Sequence, residues 1–279
     1  MANVRVITDS ACDLPDDVAT GAGIVIVPLT IRFGDEEFVD RQDLSPDEFW
    51  AKCKASKVLP ETAAPSPGAF QAAYEQAKAD GYDGVIVIAL SAQLSATHQS
   101  ACLGAEAVSE TIPVRVVDSK AVTLAQGLVA LDVAEAAKAG ATLDGLESLA
   151  HELIGKIGIS GTADTLEHLI KGGRVTGVKA MLGSMLSVKP MLELKDGLVV
   201  EAGRQRTRAK ALAACAAAAA AAAPLERLAV AHGNATDVDQ MVSLLEGIKV
   251  DHPVIVANMG SVVGTHGGPG IIGVGWIRK

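Results

Sequence analysis

Aromatic side chains are scarce in this sequence: two Trp, two Tyr and four Phe make up 3% of its 279 residues. Basic excess is missing as well, with 24 Lys and Arg against 33 Asp and Glu and a net charge of −9. A chain with neither a positive field nor stacking platforms is not built to hold nucleic acid. The four cysteines (Cys12, Cys53, Cys102 and Cys215) form no C-x-x-C or C-x-x-H pair, which argues against a zinc site or a redox dithiol. They read as packed thiols rather than disulfides, because a chain this long does not need such staples. The N-terminus reaches Asp9 before any signal-peptide core can form. The alanine-rich stretch 211–225 is too short and too weakly apolar to span a bilayer, so the chain reads as cytoplasmic. Also missing are a G-x-S-x-G elbow, a phosphate-binding G-x-x-x-x-G-K-[ST] loop, an H-E-x-x-H zinc helix, a dinucleotide fingerprint after a strand, and any long repeat.

What the chain has is aliphatic bulk, 49% apolar residues with 28 Gly. That is enough buried surface to offset the entropy of ordering and to exclude disorder. The β-branched run 4–8 ends in Asp9-Ser10, and the unbroken apolar run 84–90 predicts a parallel strand buried on both faces. A further strand, 113–117, ends in Asp118-Ser119. Ser45-Pro46-Asp47-Glu48 is a capping box and Ser66-Pro67 repeats the start signal, so helices follow each; further helices are expected after Ser95, Thr123 and Thr142. Residues 24–33 and 37–39 around Gly34-Asp35 read as a hairpin. This alternation predicts a parallel α/β sandwich over residues 1–160, whose strand-end loops share one rim where a ligand binds. From 161 to 279 the texture changes. A hairpin at Asp196-Gly197, an alanine helix over 209–223 ended by Pro224, two more strand–helix steps and a glycine-rich end over 260–275 suggest a smaller α+β domain, with the ligand between the two.

Four polar clusters could carry chemistry. Asp9-Ser10 reads by itself as a helix cap and turn. Thr62 stands just before a rigid Pro65-Ser66-Pro67 segment, in which Ser66 reads as the next cap. Ser91 to His98 lies between a buried strand and a helix, where small hydroxylated residues can converge on an anion; His98 reads as a helix-surface residue. Gly264-Thr265-His266-Gly267-Gly268-Pro269-Gly270 spends much chain entropy unless the backbone must turn tightly or approach something closely.

In order along nearly the whole chain, segments 4–15 (VRVITDSACDLP), 62–70, 91–101, 117–120, 164–175 (DTLEHLIKGGRV), 186–208 and 264–270 resemble successive motifs of the DegV family of bacterial fatty-acid-binding proteins, also called FakB. The resemblance implies a carrier and not an enzyme. It would bind one long-chain fatty acid in a buried tunnel between two domains, with no other cofactor and no metal. It would present the carboxylate to a fatty acid kinase that makes an acyl phosphate for phospholipid synthesis, and it allows peripheral membrane contact during ligand exchange. Carried over residue by residue, Thr62, Ser95 and His266 would meet the carboxyl group, with Thr265 close by. Arg174 matches the family's glycine-glycine-arginine, which faces the kinase. The sequence departs from the pattern at Ala63, Ala64, Ala96 and His98.

The residues agree with a lipid ligand. Burying a long acyl chain at ~0.8 kcal/mol per methylene gains on the order of 10 kcal/mol gross, which requires a tunnel of slender aliphatic side chains. A bare buried carboxylate would be costly, so a few hydroxyls and an imidazole must meet it. The apolar segment 178–186, with Met181 and Met185 one turn apart, is a candidate tunnel wall, though core packing explains the methionines equally well. Arg204, Arg206, Arg208 and Lys210 form the densest basic segment, and Arg206 joins Arg174 as a candidate kinase-docking residue. The competing expectation is a small-molecule hydrolase or phosphotransferase using Ser95 and His266, which would need a base set against a nucleophile.

Overall fold

The computed structural model describes residues 2–165, 167–176 and 188–279. The chain opens with β1 (Val4–Asp9), α1 (Asp16–Ala22) and β2 (Ile24–Val27), then β3 (Thr30–Phe33), β4 (Glu36–Val39), α2 (Pro46–Ala55) and the short β5 (Glu61–Ala63). It continues through α3 (Pro67–Ala79), β6 (Gly84–Ala89), α4 (Thr97–Ala107), β7 (Val114–Asp118), α5 (Leu124–Lys138) and α6 (Leu143–Ile154). Next come β8 (Ile157–Thr162), α7 (Glu167–Gly172), β9 (Val175–Thr176), β10 (Lys189–Lys195) and β11 (Leu198–Gln205). The last elements are α8 (Arg208–Ala221), β12 (Leu225–His232), α9 (Val238–Leu245), β13 (Ile255–Asn258), α10 (Ser261–Gly267) and β14 (Ile272–Arg278).

Among the described residues three sheets form. The first runs β2-β1-β6-β7 with every pair parallel. Its central strand β6 is buried along its whole length, as the continuous apolar run requires. Helices α3 and α4 cover one face, through Phe70 and Tyr74 against Ile7 and Val87, and α5 and α6 cover the other. This is the expected α/β sandwich. The second sheet is mixed and seven-stranded, in the order β13-β12-β14-β8-β10-β11-β9, with α8 and α9 packed on one face. Its member β8 contains residue 160. The third is the small antiparallel sheet β4-β3-β5.

Helix α5 lies between the first two sheets, touching β1 and β6 on one side and β12 and β14 on the other. Its apolar residues therefore run all round the helix instead of along one stripe. Buried Gln126 anchors it, donating to Thr8 Oγ1 and Asp9 Oδ2, each at 3.0 Å. Arg227 of β12 pairs with Asp132 and Glu135 on its far side.

The local signals hold well. The capping box at Ser45 and the caps at Ser66 and Thr142 are all present. The β10–β11 turn puts Asp196 and Gly197 at φ 51° and 82°, the two positive angles that a tight hairpin turn needs. One expectation requires correction. Residues 24–33 are not one strand: β2 pairs with β1 in the first sheet while β3 belongs to the third. Pro28 between them has no N–H to continue a ladder. The glycine-rich end takes regular structure. It holds α10 and then β14, a strand inside the second sheet. Small residues there permit close packing: a Cβ on Gly264 would lie 2.6 Å from the Phe49 ring and 2.8 Å from that of Trp50. The tunnel-wall segment with Met181 and Met185 lies outside the described residues.

Candidate functional site

Beyond the carboxyl ends of β1 and β6, where an open parallel sheet binds its ligands, lies a cavity of about 220 Å³. Ala11 comes from the loop after β1, and Leu90, Leu94 and Ser95 from the loop after β6; Leu192 and Val199 come from the β10–β11 hairpin. Val262, Val263 and Ile271 enter from α10 and the turn that follows it. A deeper chamber of about 80 Å³ shares Val122, Leu192, Val199, Val263 and Ile271 with it and runs on between α5 and β14. Thr123 is the one side chain there with a polar atom, and its hydroxyl already donates to Asp13 at 2.7 Å. Among the described residues the inner surface is thus aliphatic and slender, and its lining contains no aromatic ring apart from the imidazole of His266.

Polarity is confined to one end, where the structure brings together Thr62, Ser95, His266 and Arg174 on the same cavity wall. Thr62 arrives on β5, paired with Ile31 of β3. Its Oγ1 lies 2.9 Å from Nε2 of His266 on α10. Burial, reinforced by the positive charges of Arg174 and His168, pushes the imidazole down to about 4, so His266 is neutral at physiological pH. Its Nδ1 has no hydrogen-bond partner among the described residues and lies against Gly172, where a Cβ would come within 2.5 Å of it. An orphaned N–H is costlier than an under-used lone pair. The proton therefore belongs on Nε2, which donates to Thr62 and leaves the Thr62 hydroxyl hydrogen for an acceptor in the cavity. Ser95 is arranged similarly: its Oγ is 2.9 Å from Thr97 Oγ1 and accepts from the Thr97 N–H at 3.3 Å. Either hydroxyl can donate in the first of these bonds; with Thr97 as its donor, the proton of Ser95 is also free.

Ser95 and His266 share the cavity, but their hydrogen bonds lead elsewhere. Among the described residues none joins them, and an imidazole titrating near 4 is a weak general base at neutral pH. The geometry is that of a receptor for an oxyanion. Thr265 departs from the grouping expected of it. It lines an outer cleft on the other side of the Thr62–His266 pair and not the apolar cavity, because neighbouring residues on a helix face different directions. Arg174 sits where cavity and cleft meet, its guanidinium donating to the carbonyls of Gly172 (2.8 Å) and Leu94 (3.4 Å).

Other candidates prove structural. Asp9 accepts from Ala11 N–H at 3.1 Å and from Leu90 N–H at 2.7 Å, knitting two strand ends together. In the basic segment, Arg204 pairs with Glu201, and Arg208 with Asp237 and Asp164. Arg206 is exposed and has no ion pair among the described residues. Cys12 is fully buried and its thiol is pushed up to about 12 by burial, which removes its nucleophilic form. All four thiols are free, though Cys53 and Cys102 are only half-buried. Sequence reasoning missed His168, which is buried and whose Nδ1 lies 2.9 Å from the Thr265 carbonyl, bracing the end of α10. It also missed Asp13 and Asp40, which hold the start of that helix by bonds from Gly260 N–H (2.8 Å) and Ser261 Oγ (2.6 Å). Nothing local marks either role.

The family described as "Uncharacterised protein, DegV family" matches residues 3–279. A DegV domain-containing protein of Streptomyces coelicolor is 34% identical over 98% of this chain and 97% of its own length. Among solved structures, a DegV-family protein from Thermus thermophilus described as binding fatty acid is 31% identical and superposes with a TM-score of 0.89, covering 99% of this chain and 100% of that one. A stearic acid-binding protein from Eubacterium ventriosum is 26% identical with a TM-score of 0.89, covering 100% and 99%.

Proposed function

This chain belongs to the DegV family, and from that premise we propose that it binds one long-chain fatty acid in the aliphatic cavity and presents its carboxylate to a fatty acid kinase. One observation carries the reading: a slender cavity whose described lining is apolar except at one end, where Thr62, Ser95 and His266 gather. The acyl chain fills the space beside α5 and beneath the β10–β11 hairpin. The hydroxyls of Thr62 and Ser95 donate to the carboxylate, each supplied from behind by its own donor (His266 Nε2 and Thr97). A neutral His266 serves this arrangement, since it holds Thr62 in place without competing for the ligand's charge. The fatty acids named for the Thermus thermophilus and Eubacterium ventriosum structures support the assignment.

On this reading the protein is a carrier made of two units meeting near residue 160, and it works in the cytoplasm. The kinase supplies the chemistry. A carboxylate oxygen attacks the γ-phosphorus of ATP, ADP leaves, and the acyl phosphate stays in the cavity. Arg206, exposed and unpaired, is the docking residue best separated from the ligand; Arg174 lies at the headgroup itself.

Protein purified under native conditions should carry one fatty acid, released on denaturation and identified by mass spectrometry. Ser95→Ala should weaken its retention about tenfold or more, in keeping with loss of a hydrogen bond to a charged group, and His266→Ala should weaken it as well, by leaving the Thr62 hydroxyl unheld. A folded wild-type chain that takes up neither palmitate nor oleate overturns the proposal. Arg206→Ala should leave palmitate binding unchanged and slow acyl-phosphate formation by the kinase.

A further inference from the structure

Three segments that stand out in the sequence, Ser91 to His98, Val117 to Lys120 and the Asp196-Gly197 turn, come together at the tip of the β10–β11 hairpin. The Ser91 side chain is fully buried, and its Oγ donates to the carbonyl of Gly197 at 2.6 Å. Among the described residues no other hydrogen bond joins the hairpin tip to the rim of the first sheet. The loops that receive the tip are themselves fixed. Asp118 Oδ1 accepts from the N–H groups of Ala92 (3.1 Å) and Lys120 (2.9 Å), and the Ser91 carbonyl accepts from those of Leu94 (2.9 Å) and Ser95 (3.2 Å). Gly197 is suited to the contact, since its φ is 82° and a Cβ there would lie 2.7 Å from Ser91 Oγ.

The same hairpin is the least anchored of the described cavity walls. Leu192, Leu194 and Val199 line the two chambers. Strand β10 pairs with β8 through Met191, Leu192 and Glu193, so residues 194–199 reach past that neighbour, and β11 has only the two-residue β9 beyond it. The other walls are held more firmly: α5 is buried from Leu124 to Leu131, and α10 is tied down by Asp13, Asp40 and His168. Segments with few anchors open at the lowest cost. We infer, on the acyl reading of this cavity, that the β10–β11 hairpin is the door by which the chain enters and leaves, and that Ser91 is its latch. Ser91 lines neither chamber, so it is a positioning residue that acts through the hairpin and not on the ligand. Loss of the latch raises the open population, which speeds entry and exit by one factor and leaves the equilibrium affinity where it was.

The test follows cis-parinaric acid, a long-chain probe that brightens in an apolar site, by stopped-flow fluorescence on the delipidated full-length chain, with excess oleate to time its release. Ser91→Ala should raise the association and dissociation rates alike, about fivefold for one hydrogen bond, while Kd changes by less than about twofold. Amide exchange at residues 194–199 of the empty protein should quicken by a similar factor. Faster release with unchanged association would make Ser91 a support of the bound state and overturn the door. Quickened exchange with both probe rates unaltered overturns it too, and exchange that does not quicken overturns the latch. Gly197→Ala crowds the same bond from the hairpin's side, should act in the same way, and decides the matter if Ser91→Ala fails to fold. A folded wild type that takes up no probe removes the acyl reading instead, and the exchange of the empty protein still reports on the latch.

Discussion

The Thr62–His266 pair and the carboxylates Asp13 and Asp40 both meet α10, one near each end, and burial perturbs both in opposite senses. It pushes the His266 imidazole down to about 4 and Asp13 up to about 7, and it raises Asp40 as well. What separates them is how far the protein itself completes their hydrogen bonds. Asp13 spends both oxygens on protein donors, Gly260 N–H at one and Thr123 Oγ1 at the other, and so ties α10 to α5. Thr62 and Ser95 are supplied with donors from behind and keep their own protons for something else. Asp13, whose hydrogen bonds the protein closes, holds the fold, whereas Thr62 and Ser95 line the cavity. Asp13 and Thr62 therefore make a matched pair of probes.

The largest effect should come from Asp13→Ala, which strands an N–H and a hydroxyl in the interior. Stability should fall by about 3 kcal/mol, read from the urea midpoint. Asp13→Asn, able to satisfy the same two groups, should recover most of it. Thr62→Val is the converse. It keeps volume and strands only one imidazole N–H, so stability should change by no more than about 1 kcal/mol while palmitate affinity drops about tenfold. If Thr62→Val destabilises the chain as much as Asp13→Ala, or if Asp13→Ala leaves stability intact, the distinction between the two clusters collapses.

Next in size is a pH effect of unusual sign. Asp13 titrates near 7 in the folded protein against 3.8 as its ordinary value, and Asp9 near 6, both because burial disfavours the charged form. Between those limits the folded chain holds protons that the unfolded chain releases, so stability rises as pH falls. The melting temperature should therefore increase from pH 8 towards 6.5, and Asp13→Asn should flatten that slope. Below 6.5 His266 acts the other way. Its folded value is depressed, so the unfolded chain takes up a proton that the folded one refuses, and stability is lost as pH drops further. A slope that survives in Asp13→Asn would shift the effect to another group. The smallest difference is chemical. Burial pushes the thiols of Cys12 and Cys53 alike up to about 12, so access decides: fully buried Cys12 should resist alkylation under native conditions while half-buried Cys102 and Cys53 react first, as mass mapping would show.

Much of the frame was legible along the chain because its causes are local. A buried parallel strand needs an unbroken aliphatic run, a helix start needs an acceptor for its first N–H groups, and a tight hairpin needs positive φ. Hence 84–90, Ser45, Ser66, Thr142 and Asp196-Gly197 all read correctly. The cavity trio Thr62, Ser95 and His266 could be named together only through family resemblance, since no spacing in the sequence relates residues 62, 95 and 266.

The failures have a common cause. Residues 24–33 look like one strand because strand propensity does not say which sheet a strand joins; Pro28 and the third sheet decide that. The segment 260–275 reads only as glycine-rich, with no element assigned, because glycine is costly in helices and strands, yet packing against Phe49 and Trp50 outweighs that cost at α10. Thr265 and His266 are adjacent in sequence, but the helix turns them to different spaces, one to the outer cleft and the other to the cavity.

The sequence by itself determined a parallel α/β frame with hydroxylated strand ends and an interior of aliphatic side chains too slender to obstruct a chain-like ligand. Only the tertiary structure decided which of those hydroxyls stay one hydrogen bond short. That depends on donors arriving from residues as distant as Gly260 to Asp13 and His266 to Thr62, and a side chain's unmet valence is a property of its neighbours, not of its own place in the chain.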